Sequence, residues 1–143
     1  MGLDQYLTGK KDFWDFDDTL PKEDGFKVSK HTLELGYWRK DPNLHGFIVN
    51  TFAKGEDDCK PIWLSVEDIN IIIKAVEADE LPYTEGFFFG RSANINSDNP
   101  EEVEWAQQQK AYTLKIFRGA IEWLNKWEGD KIVHASVHYA ASW

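Results

Sequence analysis

The sequence predicts an α+β fold: a small, mostly antiparallel sheet of four to five strands packed with three helices, the last one long. Three observations carry this expectation. Asp41-Pro42 and Asn99-Pro100 are helix starts, because the Asp or Asn side chain can cap free N–H groups and proline at the first helical position sacrifices no hydrogen bond. Ser65, with Asp68 three positions on, has the spacing of a capping box and opens a further helix. The tail over residues 131–143 alternates, with Val133, Ala135, Val137 and Tyr139 on one face and Ile132, His134, Ser136 and His138 on the other, which is the period of a strand.

Taken in order, residues 3–8 read as a short edge or first strand. Residues 9–24 mix charges with Phe13, Trp14 and Phe16 without a period and read as a surface loop pinned by its aromatics. Residues 26–37 alternate loosely as a strand. The helix opened by Asp41-Pro42 spans 42–54 and closes at Gly55, with Leu44, Phe47, Ile48, Thr51 and Phe52 on one face and His45 beside that stripe. Residues 61–64 form a short strand. The helix after Ser65 buries Ile69, Ile72, Ile73 and Val76 and stops before Leu81-Pro82. Phe87, Phe88 and Phe89 between two glycines read as a buried strand. The helix after Asn99 runs to about residue 127 or 128, roughly 40 Å at ~1.5 Å per residue. Beyond its core face of Val103, Ala106, Leu114, Phe117, Ile121 and Leu124, it carries a second stripe of Trp105, Tyr112, Ile116, Trp123 and Trp127. A stripe this continuous predicts a covered face, either by the C-terminal strand and the aromatic loop of the same chain or by another subunit; the expectation is a homodimer through Trp105, Tyr112, Ile116 and Trp123. The expected core comprises Leu33, Leu44, Phe47, Ile48, Ile69, Ile72, Ile73, Phe88, Leu114, Phe117, Ile121 and Leu124.

The 143 residues are expected to form a single domain, residues 1–143. With 25 acidic and 16 basic side chains the formal charge is −9, which argues against general binding to nucleic-acid phosphates and suits a basic protein partner. A single cysteine, Cys59, excludes an intramolecular disulfide and fits a reducing compartment. No apolar run approaches a membrane span, and the first residues lack a secretory signal, so a cytoplasmic location is expected.

The candidate site centres on residues 36–45, which gather Tyr37, Trp38, Arg39, Lys40 and His45 around a helix start. Arginine offers a planar fork for phosphate or carboxylate, and Tyr or Trp a stacking face for a base. Arg39, with Trp38 and His45, is expected to form an anion-accepting site at the mouth between strand and helix, where the helix N-terminus adds free N–H groups. The competing reading packs Tyr37 and Trp38 in the core and pairs Arg39 with a surface acid. Glu85 and Arg91, flanking the Phe87–Phe89 run, are second choices. His134 and His138 lie too far apart along a strand to share a metal, and Ser136 between them makes a triad only on paper, since neighbours on one face rarely point at each other. Asp57-Asp58-Cys59 has no further ligand at a metal-site spacing. Phosphate-loop, nucleophile-elbow, His-Glu-x-x-His and Cys-x-x-Cys patterns are absent, so no cofactor, metal or catalytic residue is assigned.

The opening Met1-Gly2-Leu3-Asp4-Gln5-Tyr6-Leu7, the Gly36–Lys40 block with Leu44-His45, Asp57-Asp58-Cys59, Thr84-Glu85 with the following Gly86–Gly90, and the closing Ser142-Trp143 together resemble an uncharacterised family of small proteins from tailed bacteriophages and prophages. The segment 137–141 departs from the more aromatic final strand of that family. The resemblance implies an accessory protein made in an infected bacterial cytoplasm and acting on host physiology or defence, and no mechanism. Three functions follow in order: sequestration of a small anionic, nucleotide-like ligand without chemistry; an acidic protein-binding inhibitor of a host protein; and a small nucleotide-acting enzyme.

Overall fold

The computed structural model describes residues 2–14, 21–85 and 90–143. Its elements are β1 (Asp4–Phe13), β2 (Lys22–Glu23), β3 (Phe26–Lys27), β4 (Lys30–Arg39), α1 (Pro42–Phe52), β5 (Ile62–Leu64), α2 (Val66–Glu77), α3 (Pro100–Trp127) and β6 (Val133–Ser142). The expected α+β class is present: three helices and an antiparallel sheet of order β4-β1-β6-β5, with β2 and β3 as a separate hairpin.

β1 is the central strand and pairs along its whole length with β6, from Asp4 opposite Ser142 to Phe13 opposite Val133. It is therefore longer than the strand expected over residues 3–8. Lys10, Lys11 and Asp12 carry no apolar period, yet their backbone is held by partners on both sides. Pairing with distant strands decides their conformation, and local pattern does not. Of the loop expected over 9–24, residues 15–20 lie outside the described residues. So do the Phe87–Phe89 strand and the core position assigned to Phe88.

Alternation along the strands makes two unlike faces. Leu3, Gln5, Leu7 and Gly9 are buried with Trp38, Val137 and Tyr139 under the helices. The opposite face carries Tyr6, Thr8, Lys10, Tyr37, Trp63 and His138 at alternating positions. Leu44 and Ile48 of α1, Ile69, Ile72 and Val76 of α2, and Phe117 and Ala120 of α3 complete the core. Phe47, Leu114, Ile121 and Leu124 are half-buried against it. Leu33, expected in the core, is 40% exposed, on the half of the edge strand β4 where Lys30, His31, Thr32 and Glu34 are exposed as well.

Two strand glycines let α3 approach the sheet. A Cβ on Gly36 would stand 2.5 Å from Cγ2 of Ile116, and one on Gly9 would stand 3.0 Å from Cη2 of Trp123. Ile116 and Trp123, expected at a subunit contact, thus pack partly buried against their own sheet. Tyr112 accepts the Tyr37 N–H at 3.2 Å through its hydroxyl, on the β4 edge. The second stripe of α3 is not buried throughout: Tyr112 is 41% and Trp105 51% exposed.

Candidate functional site

β4 runs into α1 through a single left-handed residue, Lys40, whose N–H donates to the Leu3 carbonyl at 2.8 Å. The next residue, Asp41, precedes the helix as expected, but its side chain makes no capping hydrogen bond. Gln5 explains why. Its side-chain amide brackets the Asp41 main chain, accepting the Asp41 N–H at 2.8 Å and donating to the Asp41 carbonyl at 3.1 Å. The Asp41 carboxyl turns instead to Ser92, whose hydroxyl donates to it at 2.7 Å. Ser92 Oγ also accepts the N–H of Asn43 at 3.0 Å, so a residue from a distant loop satisfies the α1 N-terminus. Asn43 in turn accepts the N–H of Thr84 at 2.8 Å.

A second branch starts from the same Gln5. Its amide also donates to the Tyr139 hydroxyl at 3.1 Å, and that oxygen lies 2.7 Å from His45 Nδ1. His45 Nε2 lies 3.0 Å from Asp57, and Asp57 accepts from the Trp143 indole at 3.3 Å. Since Gln5 already donates to Tyr139, the phenol proton goes to His45 Nδ1, which leaves Nε2 as the protonated nitrogen donating to Asp57. Tyr139 is 1% and His45 3% exposed, and burial pushes the Tyr139 phenol far above its ordinary range. An Asp-His-Tyr chain of this kind could orient a nucleophile, but here the terminal hydroxyl is sealed in the core, and its role is to lock α1 to β1 and β6.

The stretch singled out in the sequence is therefore dispersed. Trp38 is buried, donating its indole N–H to Thr113 at 2.9 Å and stacking on Phe117 with centroids 5.5 Å apart. Tyr37 and Arg39 emerge on the other face of the sheet. Tyr37 donates its hydroxyl to Asp4 at 2.5 Å, a bond that raises the phenol pKa, and Arg39 is exposed opposite Asp4 in the ladder. His45 points inward to Tyr139. Strand alternation separates Trp38 from its neighbours, and the α1 N–H groups expected to attract an anion are in part taken by Ser92. The expected site at this mouth is not assembled.

Of the second choices, Glu85 is exposed and accepts the Tyr83 hydroxyl at 2.6 Å. Arg91 is better placed. It lines a cleft of about 350 Å³ walled by the start of α1, the end of α2, the loop containing Ser92 to Asn96, and α3. Asp41 lines the cleft, with Asn43, Asn94, Asn96 and Gln109 as amide donors and acceptors, and Arg91, Lys110 and Tyr83 also border it. Arg91 pairs with Glu102 at 2.6 Å through one of its five donors, and Lys110 bonds Asp79 at 3.0 Å and the Glu77 carbonyl at 3.1 Å. The Ser97 hydroxyl, then Arg91, hold the Glu102 carboxyl below its ordinary range. Burial pushes the Asp41 carboxyl above its own, with the Ser92 hydrogen bond and the Leu44 N–H opposing. A larger groove of about 780 Å³ is bordered by Trp14, Trp63, Trp127 and His134. It has aromatic walls, but the carboxylates that line it, Glu67, Glu128 and Asp130, are exposed, unlike Asp41.

Sequence reading missed Gln5, Ser92, Lys110 and Tyr139. Each acquires its role from contacts more than 30 positions away, and only Asp41-Pro42 left a local mark. Two further contacts were not anticipated. Ser136 Oγ, buried, lies 2.9 Å from Nε2 of the half-buried His138 on the sheet face away from the helices; burial and then the neighbouring Lys10 lower the His138 pKa. Among the described residues no carboxylate is hydrogen-bonded to His138. Asp57 of the Asp57-Asp58-Cys59 run is the partner of His45, while Cys59 is exposed.

No protein-family model, curated protein or solved structure matches the chain. Among the described residues no helix is long and apolar enough to cross a membrane.

Proposed function

We propose that the chain is a non-catalytic binding protein that sequesters a small anionic, nucleotide-like ligand in the cleft between α1, α2 and α3. The observation that supports this reading is that a fixed, buried carboxyl, Asp41, and two cations, Arg91 and Lys110, line one polar cleft. Arg91 retains donors for a phosphate beyond its bond to Glu102, and the cations suit charge-assisted hydrogen bonds. Tyr83, 69% exposed, offers a ring face for a base. A cleft of this size falls within the range of small-molecule sites, about 300–1,000 Å³. The resemblance to the phage family supports placing this activity in the cytoplasm of an infected bacterium, as interference with host defence. No step of chemistry is assigned.

The test is calorimetric titration of the full chain with a panel of nucleoside monophosphates and pyrophosphate. Arg91→Ala should weaken the bound member by roughly 10-fold or more, the loss of a charged hydrogen bond. Undiminished binding in Arg91→Ala would remove the cleft from consideration.

A second reading, an inhibitor docking on a basic patch of a host protein, is favoured by the charge of −9 and by exposed Trp63 and Tyr37 on the helix-free sheet face. A null ligand panel beside capture of one basic host protein would favour it. A homodimer through Trp105, Tyr112, Ile116 and Trp123 is a further proposal. The exposed rings of Trp105 and Tyr112 support it, whereas the intrachain packing of Ile116 and Trp123 shrinks the surface left for it.

A further inference from the structure

The floor of the cleft holds a carboxyl without a cation. Asp41 is 6% exposed and, among the described residues, makes no ion pair. Removing a carboxylate from water is costly unless hydrogen bonds or an opposite charge replace the lost solvent. Its hydrogen-bond partners have fixed roles. Ser92 Oγ accepts from Asn43 and so must donate its proton to Asp41 Oδ1. The Gln5 amide fixes the Asp41 main chain at both N–H and C=O. The carboxylate is thus a held acceptor lining the cleft, and its two oxygens together accept about four hydrogen bonds, more than the Ser92 hydroxyl and the Leu44 N–H supply.

A ligand group that fits such an acceptor carries two adjacent N–H donors. Guanine does so on its pairing edge, with the ring N1–H beside the exocyclic amino group. Adenine places a lone pair at the ring position and would face the carboxylate with it. Resting on the reading of the cleft as the ligand site, we propose that the ligand is a guanine nucleotide, its ring N–H and amino group donating to Asp41 and its phosphate directed to Arg91 and Lys110. Paired charge-assisted hydrogen bonds on a rigid acceptor discriminate strongly, because the wrong base leaves a buried polar group unmatched.

The experiment is isothermal titration of the full chain with guanosine, inosine and adenosine monophosphates at one ionic strength. Guanosine monophosphate should bind tightest. Adenosine monophosphate should be weaker by about 10-fold or more, and inosine monophosphate, which keeps the ring N–H but lacks the amino group, should fall between. In Asp41→Asn the gap between guanine and adenine should collapse, since an amide puts a donor where the ligand's donors arrive. Equal affinities in the wild type, or tighter adenine binding, would overturn the base assignment and leave the cleft reading standing. Absence of binding by all three would overturn both. A preserved gap in folded Asp41→Asn would overturn the role of this carboxyl, and the wild-type order decides the base even if that variant does not fold.

Discussion

Tyr139 shows how much of the interior rests on single polar atoms. Its hydroxyl serves Gln5 and His45 at once, within a core where either group would otherwise lack that partner. Tyr139→Phe should cost about 1–3 kcal/mol in urea denaturation, the usual penalty for leaving buried polar groups unmatched. The same geometry dictates the His45 tautomer, and nitrogen NMR should find the proton on Nε2; a proton on Nδ1 would contradict the relay. Asp41 has an effect of opposite sign. Burial raises its carboxyl above the ordinary 3.8, so the folded chain holds this proton more tightly than the unfolded chain does. Ionisation therefore costs stability, nothing below pH 3.8 and fully above the raised folded pKa. Asn can still accept from Ser92 but cannot ionise. The ligand-free Asp41→Asn chain should become more stable relative to wild type as pH rises through that window, and a pH-independent difference would exclude the effect. Arg39, by contrast, is exposed on an edge strand, and Arg39→Ala should change stability by no more than about 0.5 kcal/mol and leave ligand binding intact.

At the scale of elements, the close approach of α3 to the sheet depends on Gly36. Gly36→Ala drives a methyl into Ile116, and the forced shift should cost about 1–3 kcal/mol in thermal or chemical denaturation. A neutral substitution would mean that α3 moves freely against β4. The helices were the most legible part of the sequence because their signals are local. Ser65 and Asp68 form the reciprocal capping box, and Asn99 caps α3 through the Glu101 N–H. Strand extent was less legible, since the polar half of β1 becomes strand only through β4 and β6. The site was least legible. Adjacent residues Tyr37, Trp38 and Arg39 suggested a cluster, but a strand sends neighbours to opposite faces. Asp41 announced a cap, and its actual bond is to a serine 51 residues on, a pairing that no local pattern encodes.

At the scale of the molecule, the three helices among the described residues pack on one face of the sheet, and the candidate cleft forms where the start of α1, the end of α2, the first half of α3 and the loop around Ser92 converge. A dimer through α3 would leave its mark on mass. Light scattering at high concentration should return twice 16.6 kDa if Trp105 and Tyr112 form the contact, and a monomer mass would reject it. The central claim is that this cleft holds a small nucleotide-like anion. The most direct measurement is amide NMR of the full chain titrated with guanosine monophosphate, followed residue by residue. Shifts should concentrate at Asn43, Ser92, Asn94, Gln109 and Lys110 and saturate together. Shifts confined to the opposite sheet face, around Tyr6, Trp63 and His138, or no shifts with any nucleotide, would contradict the claim.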